Sequence, residues 1–448
     1  MPPELFVPPF PPRGKGPVAT WRGFVGERAR NAIHGWSEQA FVVRHIYRRI
    51  LHLRVHVPLD PDSVQRVLLD NASNYVKPKL VRKLVGPTIG RGLLMADGEL
   101  WREQRRIVAA SFAPAAVEDL VPHFAAAASQ RARPWQNGVV RDMAAESTAT
   151  TMAIIADTLF SGDPRLKTAQ AMAHITAALD AALEARINVI LGLPRIGWTK
   201  KMRRGRKGQE FLRKTLGEVV RDRLPHGGGD FLGKIISALR ERFPAEEATE
   251  LAIDNAATFY LAGHETTANA ITWTLYLLAE QPQLQDRVAR EAQAALSAAA
   301  FDPEALPLLR AVIEESMRLY PPVPRFDREA VAPDRLGEVE IRAGDIVSIW
   351  PWLIHRHKAL WNDPDSFDAG RFSPERRPRQ HRFQYLPFGG GPRVCVGARF
   401  AMSEALAVLA TWIASWSFTP LPGNRVRPLG TVTLRPEGGL PLHIKARS

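Results

Sequence analysis

The chain has 448 residues, of which 45% are hydrophobic and 24% are charged, a balance typical of a globular protein with a large buried core. No run of about 20 apolar residues could span a bilayer, and the N-terminus lacks the charged and apolar regions of a secretory signal, so we expect a cytoplasmic location. The net charge of +14 is compatible with nucleic acid, an anionic membrane or an acidic protein partner. No nucleic-acid-binding motif accompanies the basic residues, which are scattered along the chain, and we favour an acidic protein partner. Cys395 is the only cysteine, which excludes a disulfide, a cysteine zinc site or a cysteine-held iron–sulfur cluster within the chain.

The proline content of the chain separates an N-terminal arm from the rest. Residues 1–18 are rich in proline and predict an extended arm, whereas residues 19–448 contain no linker-like break and predict a single domain. A short strand is predicted at residues 53–57, and the sequence DPDS at residues 60–63 predicts the start of a helix. Residues 76–96 mix glycine, proline, basic and aliphatic residues without a clear period, which predicts a loop.

Two predicted helices carry side chains at informative spacings. Trp101 and Arg105 are four residues apart and share one helix face, although such a pair alone usually indicates only packed surface. The stretch between Pro244 and Pro282 has no proline and predicts one long helix. Its middle, AGHETT at residues 262–267, places an acid and a hydroxyl beside a glycine. This combination does little to stabilise a buried helix. A threonine hydroxyl there could capture a backbone carbonyl one turn back and open a kink.

The C-terminal third of the chain contains one predicted charged pair and two predicted strand regions. Glu315 and Arg318 lie three residues apart on a predicted helix and predict a charge-assisted pair. Residues 323–326 predict a strand, and alternation would place Val323 and Arg325 on the same side. Residues 427–446 predict a hairpin whose turn is PEGG at residues 436–439.

The stretch FGGGPRVCVG at residues 388–397 surrounds the single cysteine. Three glycines and a proline predict a tight turn, and the residues after Gly397 are strong helix formers. Cys395 is therefore expected at a helix N-terminus, where unpaired amides and the helix dipole favour a thiolate. Such a thiolate suits one soft metal bond, for example the axial bond to haem iron; an arbitrary lone cysteine is more often a small buried hydrophobe.

The pattern Phe-x-x-Gly-x-Arg-x-Cys-x-Gly resembles the haem-binding loop of the cytochrome P450 family, the haem-thiolate monooxygenases. The helix motif at 262–267, the Trp-x-x-x-Arg pair and the Glu-x-x-Arg pair followed by Leu-Tyr-Pro-Pro also resemble family motifs, in the right order from about residue 50 to the end. The resemblance implies a mainly α fold with a small β region (α+β), shaped as a triangular prism. Haem b would lie between the long central helix and the cysteine loop.

The resemblance also implies roles for individual residues. Cys395 would be the axial ligand, and Glu265 and Thr266 would deliver protons during oxygen activation. Four residues would bind the haem propionates: Trp101, Arg105, Arg328 and Arg393. Other haem contacts would come from Ala262, Gly263, Phe388 and Gly397. Glu315, Arg318 and Arg371 would form a network that anchors the haem loop, although Ala369 and Gly370 replace the family's usual proline and glutamate, which predicts a looser turn.

The substrate pocket implied by the resemblance is chiefly apolar. Its expected residues are Leu84, Val85, Phe259, Val323, Arg325, Val432 and Thr433. The Arg325 guanidinium needs a partner near a dry cavity, and a substrate carboxylate, a haem propionate or solvent could each serve.

The implied reaction is insertion of one oxygen atom from dioxygen into a C–H bond (or C=C) of a mainly apolar small molecule. Because the chain contains no flavin or ferredoxin domain, electrons are expected from a separate acidic ferredoxin or flavodoxin with its reductase. We expect this electron donor to dock near Arg102, Arg106 and Arg399. We also expect the protein to be a monomer. The alternatives are a peroxide-driven peroxygenase or isomerase, and a non-enzymatic thiolate-haem sensor. No anchor precedes the proline-rich arm; natural solubility and trimming of an anchor both remain open.

Overall fold

A computed structural model of the chain describes residues 5–16, 26–184, 199–225, 229–373, 375–377 and 380–447. The predicted arm at residues 1–18 therefore lies partly outside the described residues. The chain divides into two compact units. The first unit comprises residues 1–75, 121–151 and 266–448, and the second comprises residues 76–120 and 152–265.

Helices dominate both units, as the sequence predicts. In chain order the α-helices are α1 Gly26–Arg30, α2 Pro61–Gln65, α3 Lys79–Ile89, α4 Gly98–Ser111, α5 Pro114–Glu118, α6 Val121–Ala132, α7 Met143–Leu159, α8 Ala169–Glu184, α9 Lys200–Arg223, α10 Phe231–Arg242, α11 Ala245–Ala279, α12 Pro282–Leu296, α13 Pro307–Leu319, α14 Pro351–Ile354 and α15 Ala398–Ser415. Among the described residues, no helix is both long enough and apolar enough to cross a membrane.

The strands are short and few beside the helices, which confirms the mainly α composition with a small β region. They are β1 His45–Ile50, β2 Leu53–Pro58, β3 Tyr75–Val76, β4 Val140–Asp142, β5 Phe326–Ala330, β6 Asp334–Leu336, β7 Val339–Ile341, β8 Ile346–Ile349, β9 Trp416–Pro420, β10 Pro428–Gly430, β11 Leu434–Pro436 and β12 Pro441–Ala446.

The largest sheet has the strand order β1-β2-β8-β5-β3. β1 and β2 form an antiparallel hairpin in which His45 pairs with Pro58 and Ile50 pairs with Leu53, while β2 runs parallel to β8. The predicted helix start after β2 is confirmed, because the Asp60 side chain accepts a hydrogen bond from the Ser63 amide at 2.9 Å as an N-cap.

The N-terminal arm is tied to the first unit through backbone atoms. The Phe367 amide donates to the Phe6 carbonyl at 2.8 Å, and the Tyr320 hydroxyl donates to the Pro9 carbonyl at 2.8 Å. The described residues 5–13 form neither helix nor strand, as expected where proline removes amide donors.

Three local predictions are wrong. Residues 79–89 form helix α3 rather than a loop, and Pro87 is accommodated near its C-terminal end. The C-terminal strands do not form one hairpin about residues 436–439, because β11 pairs with β10 while β12 pairs with β9 and β4. Finally, the strand expected from residue 323 begins only at Phe326, after three prolines in the preceding residues 321–324, so the alternation argument does not apply to Val323 and Arg325.

Helix α11 is the longest described helix, with 35 residues. It begins directly after Pro244 and ends before Pro282, as the absence of proline between them predicts. Its residues up to Glu265 belong to the second unit and those from Thr266 onward to the first. The predicted long helix is therefore present.

Candidate active site

The cysteine loop lies in the first unit and is shaped by glycines. Gly389 and Gly391 adopt φ angles of 73° and 67°, which favour glycine. A Cβ atom on Gly391 would also overlap the backbone carbonyl of Leu68. The Cys395 amide donates to the Phe388 carbonyl at 2.9 Å, and helix α15 begins three residues later. The turn thus presents an exposed cysteine side chain just before a helix N-terminus, as predicted.

A buried histidine holds the residues that lead into this loop. Nε2 of His355 accepts a hydrogen bond from the Leu386 amide at 2.8 Å, and the His355 carbonyl accepts from Nη1 of Arg318 at 2.7 Å. Burial, reinforced by the positive charge of Arg318, lowers the pKa of His355 to about 3, which keeps the ring a neutral acceptor at physiological pH. Sequence reasoning assigned no role to His355, since its partner is distant in the chain.

The predicted Glu315–Arg318–Arg371 network is present. Arg318 donates to Glu315 from Nε at 2.6 Å and from Nη2 at 2.8 Å, and neither side chain is exposed. Nε of Arg371 donates to Oε1 of Glu315 at 3.3 Å, and the Asp368 amide donates to the same oxygen at 2.8 Å. The turn that follows is capped by Asp368, whose side chain accepts from the Gly370 amide at 3.0 Å. The replacement of proline and glutamate therefore leaves an ordered turn.

Arg328 and Arg393 provide a test of whether the first unit suits an anionic cofactor. Arg328 is buried on β5, and Nη1 donates to the Asp327 carbonyl at 3.0 Å. Burial, followed by repulsion from Arg393, lowers the pKa of Arg328 to about 10. No ion pair joins Arg328 to a carboxylate of the described residues. A buried cation facing a second cation is stabilised by an anion, so these residues fit the carboxylates of a haem.

Trp101 and Arg105 lie on α4 in the second unit, both half-buried, and a buried amide between them sets the position of the helix. Oε1 of Gln104 accepts from Nδ2 of Asn255 at 2.7 Å, and Nε2 of Gln104 donates to the Arg91 carbonyl at 3.0 Å. This fixes α4 against α11. Sequence reasoning missed Gln104 and Asn255; the only signal was an uncharged amide inside a charged run.

The motif in α11 coincides with a break in the burial of that helix. Every residue from 251 to 279 is buried except Ala262, Gly263, Glu265 and Thr266. Helical spacings of three and four residues place Ala262, Glu265 and Thr266 on one face. His264 between them is buried, and its Nδ1 lies 2.8 Å from the Tyr260 carbonyl, as expected of a packing residue. The helix therefore opens one face at the residues expected to handle protons and oxygen.

Packing within the second unit also favours glycine at position 263. A Cβ atom at this position would lie 2.7 Å from Cδ1 of Ile155 on α7. The helix is continuous through the motif. Elsewhere in α11, the hydroxyls of Thr258, Thr272 and Thr274 donate to carbonyls four residues earlier at 2.7–2.8 Å.

The expected substrate-pocket residues are divided between the two units. In the second unit, Leu84 and Val85 are half-buried on α3, and Phe259 packs edge-on against Phe112 and Phe231, with ring centroids 6.0 and 5.5 Å away.

In the first unit, the Leu434 amide donates to the Pro322 carbonyl at 3.0 Å, which brings the segments of Val323 and Thr433 together. Val323 is half-buried and Thr433 is buried, whereas Val432 is exposed.

Arg325 has partners within the protein. Its side chain is 45% exposed, Nη2 lies 3.1 Å from Oδ2 of Asp327, and its guanidinium lies 5.3 Å from the centroid of the Trp350 ring. The guanidinium is therefore satisfied by a carboxylate, an aromatic ring and solvent.

Comparison with known proteins places the chain in a family. The sequence model of the family Cytochrome P450 matches residues 44–440. The chain belongs to the cytochrome P450 family and is a monooxygenase of that family, a membership that implies a haem cofactor.

Several relatives and solved structures resemble it over most of their length. Cyclooctatin synthase of Streptomyces melanosporofaciens is 31% identical, over 85% of this chain and 84% of that protein. A cytokinin hydroxylase of Arabidopsis thaliana is 30% identical, over 80% and 72%.

Among solved structures, the haem domain of cytochrome P450DA superimposes with a TM-score of 0.79 at 22% identity, over 99% of this chain and 98% of that one. CYP175A1 from Thermus thermophilus gives 0.72 at 29% identity, over 90% and 92%. These matches confirm the predicted fold.

Proposed function

We propose that this monooxygenase inserts one oxygen atom from dioxygen into a C–H bond (or C=C) of a mainly apolar small molecule, with haem b as cofactor and electrons from a separate donor. The observation that carries the proposal is the open face of α11, where Ala262, Gly263, Glu265 and Thr266 alone interrupt the buried stretch of residues 251–279. An acid and a hydroxyl adjacent on that face support proton delivery. A cytoplasmic location stays a prediction.

When bound, the haem supplies the activation of dioxygen and the oxygen insertion, and the protein binds, orients and delivers protons. The Cys395 thiolate would hold the iron. Arg328 and Arg393 in the first unit, and Trp101 and Arg105 in the second, would hold the propionates. The environment of Arg328 supports this role, because burial and repulsion from Arg393 together outweigh the attraction of Asp327 and lower the pKa of its guanidinium, so that a further anion would stabilise it.

Glu265 and Thr266 would act as a proton pair. The carboxyl group of Glu265 would take a proton from solvent, and the hydroxyl of Thr266 would hold a water molecule that passes this proton to the reacting oxygen. Burial of the flanking residues limits the entry of other water, which protects the reaction from uncontrolled protonation.

An apolar substrate is favoured by the aliphatic and aromatic side chains expected around it, among them Leu84, Val85, Phe259 and Val323. Burial of apolar substrate surface would contribute about 25 cal/mol per Å². The pairing of Arg325 with Asp327 removes the need for a carboxylate on the substrate.

The proposal is tested by the carbon monoxide difference spectrum of the reduced protein, followed by turnover with dioxygen and a surrogate electron donor. We expect the long-wavelength band of a thiolate-ligated haem in the wild type and its loss in Cys395→Ser. An unchanged spectrum in Cys395→Ser would refute the axial assignment. Turnover with peroxide but not with dioxygen would instead identify a peroxygenase, and binding of haem without any turnover would favour a sensor.

A further inference from the structure

The β1–β2 hairpin presents apolar and basic side chains to solvent. Leu51 at its tip is 60% exposed and Tyr47 on β1 is 49% exposed. Val42 and Val43, which precede β1, are exposed as well. Residues 42–58 contain four arginines and no aspartate or glutamate. The hairpin and the residues before it therefore carry exposed apolar side chains together with arginines and without acidic residues.

Leu51 is an unusual residue for its position in the turn. Its φ angle is 53°, in the left-handed region where glycine or asparagine is favoured and a bulky apolar side chain is not. The hairpin turn is closed by the Leu53 pairing with Ile50 and by a hydrogen bond from Nε of Arg49 to the Leu51 carbonyl at 3.3 Å. Neither burial nor backbone preference therefore accounts for leucine at this tip.

The hairpin is a rigid support for these side chains. Nε2 of His45 lies 3.1 Å from Nδ1 of His56, and Nε2 of His56 lies 3.2 Å from Oδ2 of Asp345 on the loop before β8. The Tyr47 ring packs on the His56 ring at 5.1 Å. Nε of Arg54 lies 3.1 Å from Oδ1 of Asp345. A hydrogen-bonded chain thus braces the hairpin on the face that also carries Tyr47 and Arg49.

The positive charge of the hairpin comes from arginines rather than from the braced histidines. Burial lowers the pKa of His45 to about 4 and also lowers the pKa of His56, so both rings are neutral at physiological pH. Arg54 is paired with Asp345. Arg44, Arg48 and Arg49 remain, and two of them, Arg44 and Arg49, are exposed.

We propose that the β1–β2 hairpin is a docking surface for an anionic lipid bilayer. Leucine and tyrosine enter the headgroup region of a bilayer, and arginine binds lipid phosphates through its planar fork. A bilayer requires no shaped pocket, which suits a projecting two-residue turn. A second copy of the chain is disfavoured because the arginines would face each other. The proposal does not depend on the haem chemistry.

The test is co-sedimentation of the purified holoprotein with lipid vesicles. We expect binding to vesicles of equal parts phosphatidylglycerol and phosphatidylcholine, weaker binding as salt rises, and no binding to phosphatidylcholine alone. Arg49→Glu should lower the binding constant about fivefold or more. Leu51→Gly should also lower it while leaving the thermal midpoint equal or higher, because glycine relieves the unfavourable φ angle.

Two matched substitutions elsewhere in the first unit serve as controls. Val331→Asp changes an equally exposed aliphatic residue, and Arg335→Glu reverses an exposed arginine outside the hairpin. Both should bind anionic vesicles like the wild type. The proposal is overturned if the wild type does not bind, if neutral vesicles bind equally well, or if the control variants lose as much binding as the hairpin variants. Binding to soluble polyglutamate without binding to vesicles would also overturn it, in favour of an acidic protein partner. An unchanged carbon monoxide spectrum in every variant shows that the haem site is intact.

Discussion

Arg318 and Glu315 form a two-point hydrogen-bonded ion pair in which neither side chain is exposed. Removal of Arg318 would leave the buried Glu315 carboxyl with only the Asp368 amide and the longer 3.3 Å contact to Arg371, both on one of its two oxygens. We expect Arg318→Ala to destabilise the protein by about 3–5 kcal/mol and to lower its haem content, because the same guanidinium holds the His355 carbonyl. Thermal unfolding and haem absorbance per protein measure the two effects.

A less buried pair, between Arg310 on the same helix and Glu304 in the turn before it, provides the control for this prediction. Nη2 of Arg310 lies 2.8 Å from Oε1 of Glu304, but the glutamate is 57% exposed. Because solvent screens such a pair, Arg310→Ala should cost less than about 1 kcal/mol and leave haem content unchanged. Equal losses in the two variants would contradict a special role for the buried pair.

Thr266 is expected to determine how much product is formed per electron consumed, and not how tightly substrate binds. Thr266→Ala removes the hydroxyl that would hold a proton-relaying water molecule, so peroxide should be released in place of product, with the product formed per electron roughly tenfold lower. Substrate affinity, measured from spectral shifts at the haem, should stay the same. Thr272→Ala is the matched control, because its buried hydroxyl is used by the Ala268 carbonyl. Unaltered coupling in Thr266→Ala would count against the proton role.

Glu404 on α15 predicts a dependence of stability on pH. The side chain is completely buried, and neither carboxyl oxygen makes a regular hydrogen bond with a described residue. Burial raises the pKa of Glu404 well above its ordinary value of 4.5, and the Thr267 hydroxyl only partly opposes the rise. The folded protein therefore keeps a proton that the unfolded chain releases.

The sign of the effect follows from this proton. Above the ordinary pKa the folded state binds more protons, so the stability contributed by Glu404 falls as pH rises, by about 1.4 kcal/mol per pH unit until the folded pKa is reached. Glu404→Gln removes this titration. The thermal midpoint of the variant should rise relative to the wild type between about pH 5 and about pH 8. A constant difference across that range would show that Glu404 is ionised in the folded protein.

The parts of the site that the sequence predicted are those fixed by local geometry. The Glu315–Arg318 pair follows from a three-residue helical spacing, and the turn before Cys395 follows from glycines that adopt positive φ angles. The open face of α11 also coincides with a motif of six consecutive residues. Such features need no knowledge of which segments meet.

The parts that sequence reasoning missed or misplaced depend on distant partners. Gln104 meets Asn255, which lies 151 residues away, and a single sequence offers no sign of that contact. Strand β12 pairs with β9 and β4 rather than with its neighbour β11, so turn residues alone could not give its partner. Helix α3 forms despite the weak helix propensities of its glycine and proline, Gly86 and Pro87, which both lie near its C-terminal end.

The final prediction concerns the electron donor, expected to be acidic and to dock on the cysteine side. Arg382 is exposed beside a cleft of about 260 Å³ that Phe388 and Gly389 also line, and no carboxylate of the described residues pairs with it. Arg102 is also exposed, but Nη1 lies 2.9 Å from Oε2 of Glu99, which balances its charge.

Reversal of the arginine in the cleft should therefore have the larger effect. We expect Arg382→Glu to slow reduction by an acidic ferredoxin roughly tenfold at low salt and Arg102→Glu to slow it less, with both differences shrinking as salt screens the encounter. Stopped-flow formation of the reduced carbon monoxide complex measures the rate, and dithionite reduction, which needs no docking, should be equal in all three proteins. A rate that is independent of salt and of both reversals would exclude electrostatic docking through these two arginines.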